Sequence, residues 1–536
     1  MRILLYDTTL RDGAQQEGLS FSVADKLSIL KLLDRLGIDY VEGGWPGSNP
    51  KDAEFFDQAV EISLEHAKLT AFGCTCRVGR KAADDANVRS LLAAGTSTVA
   101  VFGKSWGLHV ERVLRTTREE NLRMVFDTVR VLAQAGREVI YDAEHFFDGY
   151  RDDRSYALET LSAAAEAGAA SAVLCDTNGG SMPWSVAAAV RRARRHLRIP
   201  LGIHAHNDAG LAVANSLAAV RCGATSVQGT FNGYGERCGN ADLCSVIPAL
   251  VLKLGHTCIS GEAMVGLTPL AREVSEIVNR QLDAQRPYVG SSAFAHKGGV
   301  HVDAVAKCPE SYQHVEPARV GNRTRTIVSE LAGRANIAHK AAERGIHLSN
   351  GEARTAQLVA RTKELERQGL QFEGADASVE LLIRKADPAY RAAFDLADFH
   401  VLIRGRPDGT TVAEAAVKVD VDGHRVHTAA DGNGPVNALD RAVRKALLPF
   451  YPELEAVRLT DYKVRILDGD AGTAARIRVL VTTSDGTSTW STVGCGTNVI
   501  EASWMALVDA LEYALLGARC RDPRGTAYKD VTCARR

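Results

Sequence analysis

Leu201-Gly-Ile-His-Ala-His-Asn-Asp208 is an apolar run that ends in two imidazoles, an amide and a carboxylate. Side chains alternate across a strand, so His204 and His206, two residues apart, share one face. Two imidazoles side by side suit one divalent metal ion. A second such ending opens the chain, where Ile3–Tyr6 leads into Asp7-Thr-Thr-Leu-Arg-Asp-Gly13. Asp12 would close the metal site with a hard oxygen, and Arg11 beside it would hold an anionic substrate. One carboxylate and two imidazoles leave coordination positions open for a bidentate substrate, and this ligand set accommodates Mn, Mg, Zn or Co. The chemistry this points to is a metal-polarised carbonyl.

Working outward, the same kind of run recurs eight times: Ile3–Tyr6, Tyr40–Gly43, Leu69–Gly73, Thr98–Phe102, Val139–Asp142, Ala172–Cys175, Leu201–His204 and Val227–Phe231. Most starts are roughly 25–40 residues apart, room for a strand, a helix and two loops. The intervening segments have helical periodicity and stop at glycines. Asp25–Leu36 ends at Gly37, Val88–Ala94 at Gly95, Met124–Ala135 at Gly136, Tyr156–Ala167 at Gly168, and Val213–Arg221 before Gly223. Eight strand–helix units predict an α/β fold, a (β/α)8 barrel over residues 1–270. Polar residues cluster in or just after each run, among them Arg11, Asp12, Glu42, Arg77, Lys104, Glu144, Asp176, Thr177, His206, Asn232 and Glu236. A barrel collects such residues at the C-terminal ends of its strands, whereas an open sheet concentrates them near one switch point.

The rhythm then stops. Residues 271–394 read as a mainly helical connecting subdomain that contains Ala295-His-Lys-Gly-Gly-Val-His-Val-Asp303. Residues 395–536 read as an α+β module with an internal repeat. Val419–Gly423, His427–Ala430 and Gly432-Asn-Gly-Pro lead into a helix at Val436–Leu447. Val481–Gly486, Ser488–Val493 and Gly494-Cys-Gly-Thr-Asn498 lead into another at Glu501–Leu515, about 63 residues on. With no catalytic motif of its own, this module suits binding or dimerisation.

A formal net charge of −1 gives no general attraction to nucleic acid or an anionic membrane. The opening apolar run is too short for a signal peptide, and no stretch approaches the roughly 18 apolar residues of a membrane span. The 11 cysteines are scattered and odd in number, so reduced thiols and a cytoplasmic location are expected.

Further candidates surround the metal motif. In Gly233-Tyr-Gly-Glu-Arg-Cys-Gly-Asn240, the Asn240 amide oxygen could join the metal and Glu236 could pair with Arg237. Arg11 could stabilise an enolate or alkoxide, or form a structural ion pair with an acid such as Glu42. Glu144 and His301 are the acid–base candidates.

These residues resemble a known family. The stretches Asp7–Gly13, His204–Asp208, Asn232–Asn240 and His296-Lys-Gly-Gly-Val-His301 are similar to those of the 2-isopropylmalate, homocitrate and citramalate synthases, with Tyr312–Gly321 and Val328–Asn336 extending the match. Asp431–Asn437 and Trp490–Trp504 look like the family's leucine- or isoleucine-responsive regulatory domain. Within the family, Glu42-Gly-Gly-Trp-Pro-Gly-Ser-Asn-Pro-Lys-Asp52, Phe102–Trp106 and Asp176–Gly180 look most like the citramalate branch, although Asp142 stands where some of its members have tyrosine.

The resemblance implies a condensation of acetyl-CoA, as co-substrate, with a 2-oxo acid, followed by thioester hydrolysis. In the citramalate branch the acceptor is pyruvate, the product (R)-citramalate, and the pathway that of isoleucine. It implies a divalent metal on Asp12, His204, His206 and Asn240, with Arg11 on the negative oxygen and Thr177 on the carboxylate. His301 with Glu144 would remove the acetyl proton, and Tyr312 would assist from a neighbouring chain, which makes a homodimer with isoleucine as effector the expected state. The alternatives are a 2-isopropylmalate synthase taking 2-oxoisovalerate, a lyase of the hydroxymethylglutaryl-CoA type, and a non-catalytic amino-acid sensor. The long C-terminal extension argues against the lyase, and the intact metal set against the sensor.

Overall fold

A computed structural model describes residues 1–348 and 351–521. The chain forms two compact units, the first comprising Met1–Phe294 with Val315–Arg323. Its eight parallel strands are β1 (Leu4–Asp7), β2 (Tyr40–Gly44), β3 (Lys68–Cys74), β4 (Thr98–Lys104), β5 (Glu138–Glu144), β6 (Ser171–Asp176), β7 (Leu201–Ala205) and β8 (Ser226–Gly229). They form a closed barrel in sequence order, sealed where β1 pairs with β8 from Leu4↔Ser226 to Asp7↔Gly229. Closure removes both sheet edges and leaves each strand buried on two faces, hence short apolar runs in place of strict alternation.

The helices begin and end where local chemistry directs. Val23–Leu36 starts at a capping box, in which Ser22 and Asp25 satisfy each other's backbone N–H groups, and stops at Gly37, whose φ of 89° favours glycine. The helix expected from Met124 begins earlier, at Arg118, because the Thr117 side chain accepts from Glu120 N and caps it there. These helices bury Leu30, Leu33, Val88, Leu91, Val125, Val129, Leu161 and Val190 around the barrel in one continuous core.

One irregularity matters for the site. The β2–β3 register shifts between Glu42 and Gly44, and Gly44 has a φ of 151°. A Cβ at Gly44 would lie 2.5 Å from the Asp52 carboxyl carbon, so only glycine fits. Buried Lys26 donates to Gly43 O at 2.9 Å and to Asp52 Oδ1 at 2.5 Å, and Asp52 Oδ2 accepts from Trp45 N at 2.9 Å. The bulge thereby fixes Trp45 at the end of β2.

The second unit holds Ala295–His314 and the chain from Thr324 onward. Its first part pairs β9 (Ala295–His296) with β10 (Arg325–Thr326) in parallel and continues in helices Gly299–Lys307, Arg334–Glu343, Gly351–Arg367 and Asp376–Lys385. The repeat then follows as two antiparallel sheets, each feeding a helix. β11 (Asp395–Gly405), β12 (Thr411–Val421) and β13 (His424–Gly432) precede Pro435–Leu447; β14 (Arg458–Ile466), β15 (Ile477–Ser484) and β16 (Thr489–Gly496) precede Val499–Arg521. Each copy gains a leading strand, β11 or β14, that the sequence reading did not mark; both are largely exposed and lack a clean apolar alternation. Val417 and Val419 of β12 pack with Leu439, Val443 and Leu447, and Trp490, Trp504 and Leu511 of the second copy join the same core. Residues 522–536, the end of the expected 395–536 module, lie outside the described residues. Among the described residues no helix is long and apolar enough to cross a membrane.

Candidate metal centre and active-site cleft

The strand ends converge on a cleft of about 220 Å3 at the C-terminal mouth of the barrel, lined by Arg11, Asp12, Trp45, Phe72, Phe102, Asp142, Glu144, Thr177, His204, His206 and Arg237 among others. At its floor, ligand atoms of Asp12, His204 and His206 lie within 4.8 Å of one another, and all three residues are buried. Asp12 Oδ2 stands 3.3 Å from His204 Nε2 and 3.8 Å from His206 Nε2. Asp12 Oδ1, His206 Nδ1 and Asn240 Oδ1 are buried without a hydrogen-bond partner. Leaving buried polar atoms unsatisfied costs about 1–3 kcal/mol each, and a bound cation is one way to recover that cost for the oxygens. Asn240 is brought to His206 by an isolated antiparallel bridge, and its Nδ2 donates to Tyr234 O at 3.1 Å, which turns the amide oxygen the other way. The donor set therefore fits a divalent metal, with Asn240 able to add an oxygen.

Electrostatics agree. Burial opposes ionisation of Asp12, but Arg11 and the histidines outweigh it and hold the carboxyl well below the usual range. Burial likewise opposes a charged His204, yet Asp12 raises it. Burial and then His204 bring His206 down to about 4, so its imidazole is neutral and able to ligate. Burial and neighbouring Glu42 push Asp142 up to about 7.

Of the two sequence readings of Arg11, the structure shows the ion pair with Glu42. Its Nε donates to Glu42 Oε1 at 2.5 Å, its Nη1 to Asp12 Oδ2 at 3.2 Å, and its guanidinium carbon lies 3.8 Å over the Phe72 ring. Fully buried Glu42 also accepts from Thr8 Oγ1 at 2.6 Å and Tyr6 Oη at 2.5 Å. The acid thus anchors the arginine while the guanidinium face remains at the cleft. Phe72 and Phe102 stack at 5.3 Å, and Trp45 closes edge-on at 5.9 and 5.6 Å, giving one apolar wall.

Beside Phe102, Lys104 binds Glu144. Thr177 Oγ1 accepts from His145 N at 2.8 Å, which leaves its hydroxyl proton for a ligand. The expected Glu236–Arg237 pair exists at 3.4 Å, but Arg237 is held chiefly by Asp208, at 2.7 and 2.9 Å, and by Thr177 O at 2.7 Å. His301 and Tyr312 belong to the second unit, where their rings pack at 4.4 Å; all lining residues of the cleft belong to the first.

Sequence reading named Glu42 as a partner for Arg11 but gave no role to Gln228, Trp45, Tyr6 or Thr8. Gln228 left a signal, being a polar residue inside the apolar run Val227–Phe231, and the structure buries it against His204.

Comparison with known proteins agrees with this architecture. Residues 2–268 match the HMGL-like family, 288–369 the homocitrate synthase post-HMGL domain-like family, and 373–515 the LeuA allosteric (dimerisation) domain. The (R)-citramalate synthase of Aquifex aeolicus is 51% identical over 517 residues, 96% of this chain and 98% of that protein. The chain belongs to the citramalate synthase family. Another member, the (R)-citramalate synthase of Geobacter sulfurreducens, is 50% identical across 96% of this chain and 97% of its own length. The probable 2-isopropylmalate synthase of Methanopyrus kandleri stands further off, at 33% identity over 95% of this chain and 97% of its own. Citramalate synthase membership accounts for the barrel, the post-barrel region and the repeated C-terminal module together.

Proposed function

We propose that this chain condenses acetyl-CoA with pyruvate and hydrolyses the thioester, releasing (R)-citramalate and CoA. The observation that carries this is a divalent-metal donor set facing an aromatic wall in one small cleft, in a citramalate synthase family member. An ion of Mn, Mg, Zn or Co on Asp12, His204, His206 and Asn240 would supply Lewis acidity to the acceptor's 2-oxo group. Arg11, held by Glu42, presents positive charge to the oxygen that becomes negative. Thr177 donates its free hydroxyl proton to the acceptor carboxylate. Trp45, Phe72 and Phe102 face the acceptor's methyl group and leave little room for a branched one.

Glu144, steadied by Lys104, takes a proton from the acetyl methyl group. That carbon bonds to the ketone carbon, the carbonyl electron pair moves to oxygen, and the oxygen is protonated. Water then cleaves the carbon–sulfur bond and CoA leaves as the thiol. His301 as acid–base partner of Glu144 and Tyr312 as its assistant rest on the family resemblance. The dimerisation domain supports a homodimer, while isoleucine as effector, a cytoplasmic location and a place in isoleucine synthesis rest on the family resemblance. Equal turnover with and without millimolar isoleucine would remove the effector from this reading.

The test is CoA-thiol release from acetyl-CoA, after chelation and return of Mn2+ or Mg2+, with pyruvate and separately with 2-oxoisovalerate. Metal-dependent release with pyruvate alone is expected. Preference for 2-oxoisovalerate would overturn the acceptor, and release with neither would overturn the synthase.

A further inference from the structure

Behind the metal ligands lies a buried chain of three side chains. His204 Nδ1 stands 2.8 Å from Gln228 Oε1, and Gln228 Nε2 donates to Asp142 Oδ1 at 3.0 Å. All three residues are buried, with Gln228 only 1% exposed, so water does not replace these bonds. The three come from β7, β8 and β5, which places the chain across the barrel interior.

Direction is what gives this chain its meaning. The Gln228 amide nitrogen is turned to Asp142 Oδ1, which accepts from it as a carboxylate oxygen or as the carbonyl oxygen of the protonated acid. The Gln228 oxygen then faces His204, and an amide oxygen only accepts. His204 must therefore carry its proton on Nδ1, which leaves the Nε2 lone pair aimed at Asp12 and the metal position. Reversing the amide would put N–H against Nδ1, move the imidazole proton to Nε2 and remove the ligand. We propose that Asp142 and Gln228 are positioning residues, a one-way hydrogen-bond relay that fixes the metal-ligating tautomer and ring orientation of His204. This rests on the reading that Asp12, His204 and His206 hold a divalent cation.

The relay predicts an unusual pattern of loss and rescue. Gln228→Leu keeps bulk but removes both bonds. Gln228→Glu accepts from His204 but sets two buried carboxyl groups against each other. Asp142→Asn allows the Gln228 amide either orientation. The double variant D142N/Q228E restores one direction, because the amide introduced at position 142 donates to the carboxylate introduced at position 228, and that carboxylate accepts from His204 Nδ1–H.

The experiment is Co2+ titration of chelator-treated full-length protein, read by visible absorption of the bound ion, with Mn2+ competition and circular dichroism to confirm folding. Outer partners of metal ligands are worth roughly 10–100-fold in affinity, so Q228L and Q228E are expected to lose about that much and D142N less. D142N/Q228E should return to within a fewfold of wild type. Q228L binding Co2+ as wild type does, or a double variant no tighter than Q228E, overturns the relay. Should Q228L not fold, the comparison of Q228E with the double variant decides alone. Wild type taking up no Co2+ or Mn2+ at this site would overturn the metal reading itself.

Discussion

Replacing Glu42 by glutamine tests whether the anchor beneath Arg11 serves the reaction. The substitution keeps the shape and leaves an oxygen to accept from Thr8 and Arg11, but it removes the charge that meets Arg11 Nε at 2.5 Å. The two side chains are 0% and 14% exposed, so water screens the pair poorly. At an effective dielectric near 20, unit charges about 4 Å apart attract by about 4 kcal/mol, and breaking a buried pair costs about 3–5 kcal/mol. Asp12, 3.2 Å from Arg11 Nη1, remains as a counter-charge, so a loss of about 2–3 kcal/mol is expected. For a domain of barrel size this is a fall in Tm of roughly 5–10 °C. With the charge at Nε gone and only a neutral acceptor left there, the pull of Asp12 shifts the guanidinium, and misplacing a group that meets developing charge costs about 10²-fold in kcat. Differential scanning calorimetry and steady-state thiol release measure the two effects. Unchanged Tm and kcat would refute the reasoning; a lower Tm with unchanged kcat would leave Glu42 a role in stability alone.

Three further outcomes are expected. Phe102→Ala opens the aromatic wall and should move the kcat/KM ratio of 2-oxoisovalerate to pyruvate upward by about 10–100-fold, at about 1–3 kcal/mol per methylene; an unchanged ratio would show that the wall does not select the acceptor. Burial drives the Asp7 carboxyl up to about 7, against the bonds from Thr9, so its folded pKa exceeds the unfolded one. Its contribution is then fully present below the unfolded pKa and lost as pH rises through about 7, so Asp7→Asn should gain stability relative to wild type between pH 5 and 8, by a few kcal/mol at about 1.4 per pH unit, in thermal melts. Chelation should lower Tm and re-addition of Mn2+ restore it, because metal at about 100 times its Kd stabilises by about 2.7 kcal/mol; identical melts with and without chelator would count against the Asp12–His204–His206 site.

The sequence by itself determined the barrel and the gathering of the candidate ligands Asp12, His204 and His206. Each barrel strand is buried on both faces, so eight apolar runs stood out, and the residues ending them had to gather at one rim once the sheet closed. His204 and His206 were legible together because strand periodicity alone puts them on one side. The repeat was legible through its glycine turns and helices, but β11 and β14 were not, because exposed strands carry no burial pattern to read. What only the tertiary structure decided were the meetings between residues distant in the chain. Lys104 on Glu144, Asp208 on Arg237, and Gln228 between Asp142 and His204 are bonds between strands and loops whose partners register and barrel closure set. Local sequence carries periodicity and capping, which act over a few residues. Partner choice inside a buried site depends on which unsatisfied donor faces which acceptor after the barrel has closed, and no local pattern encodes that.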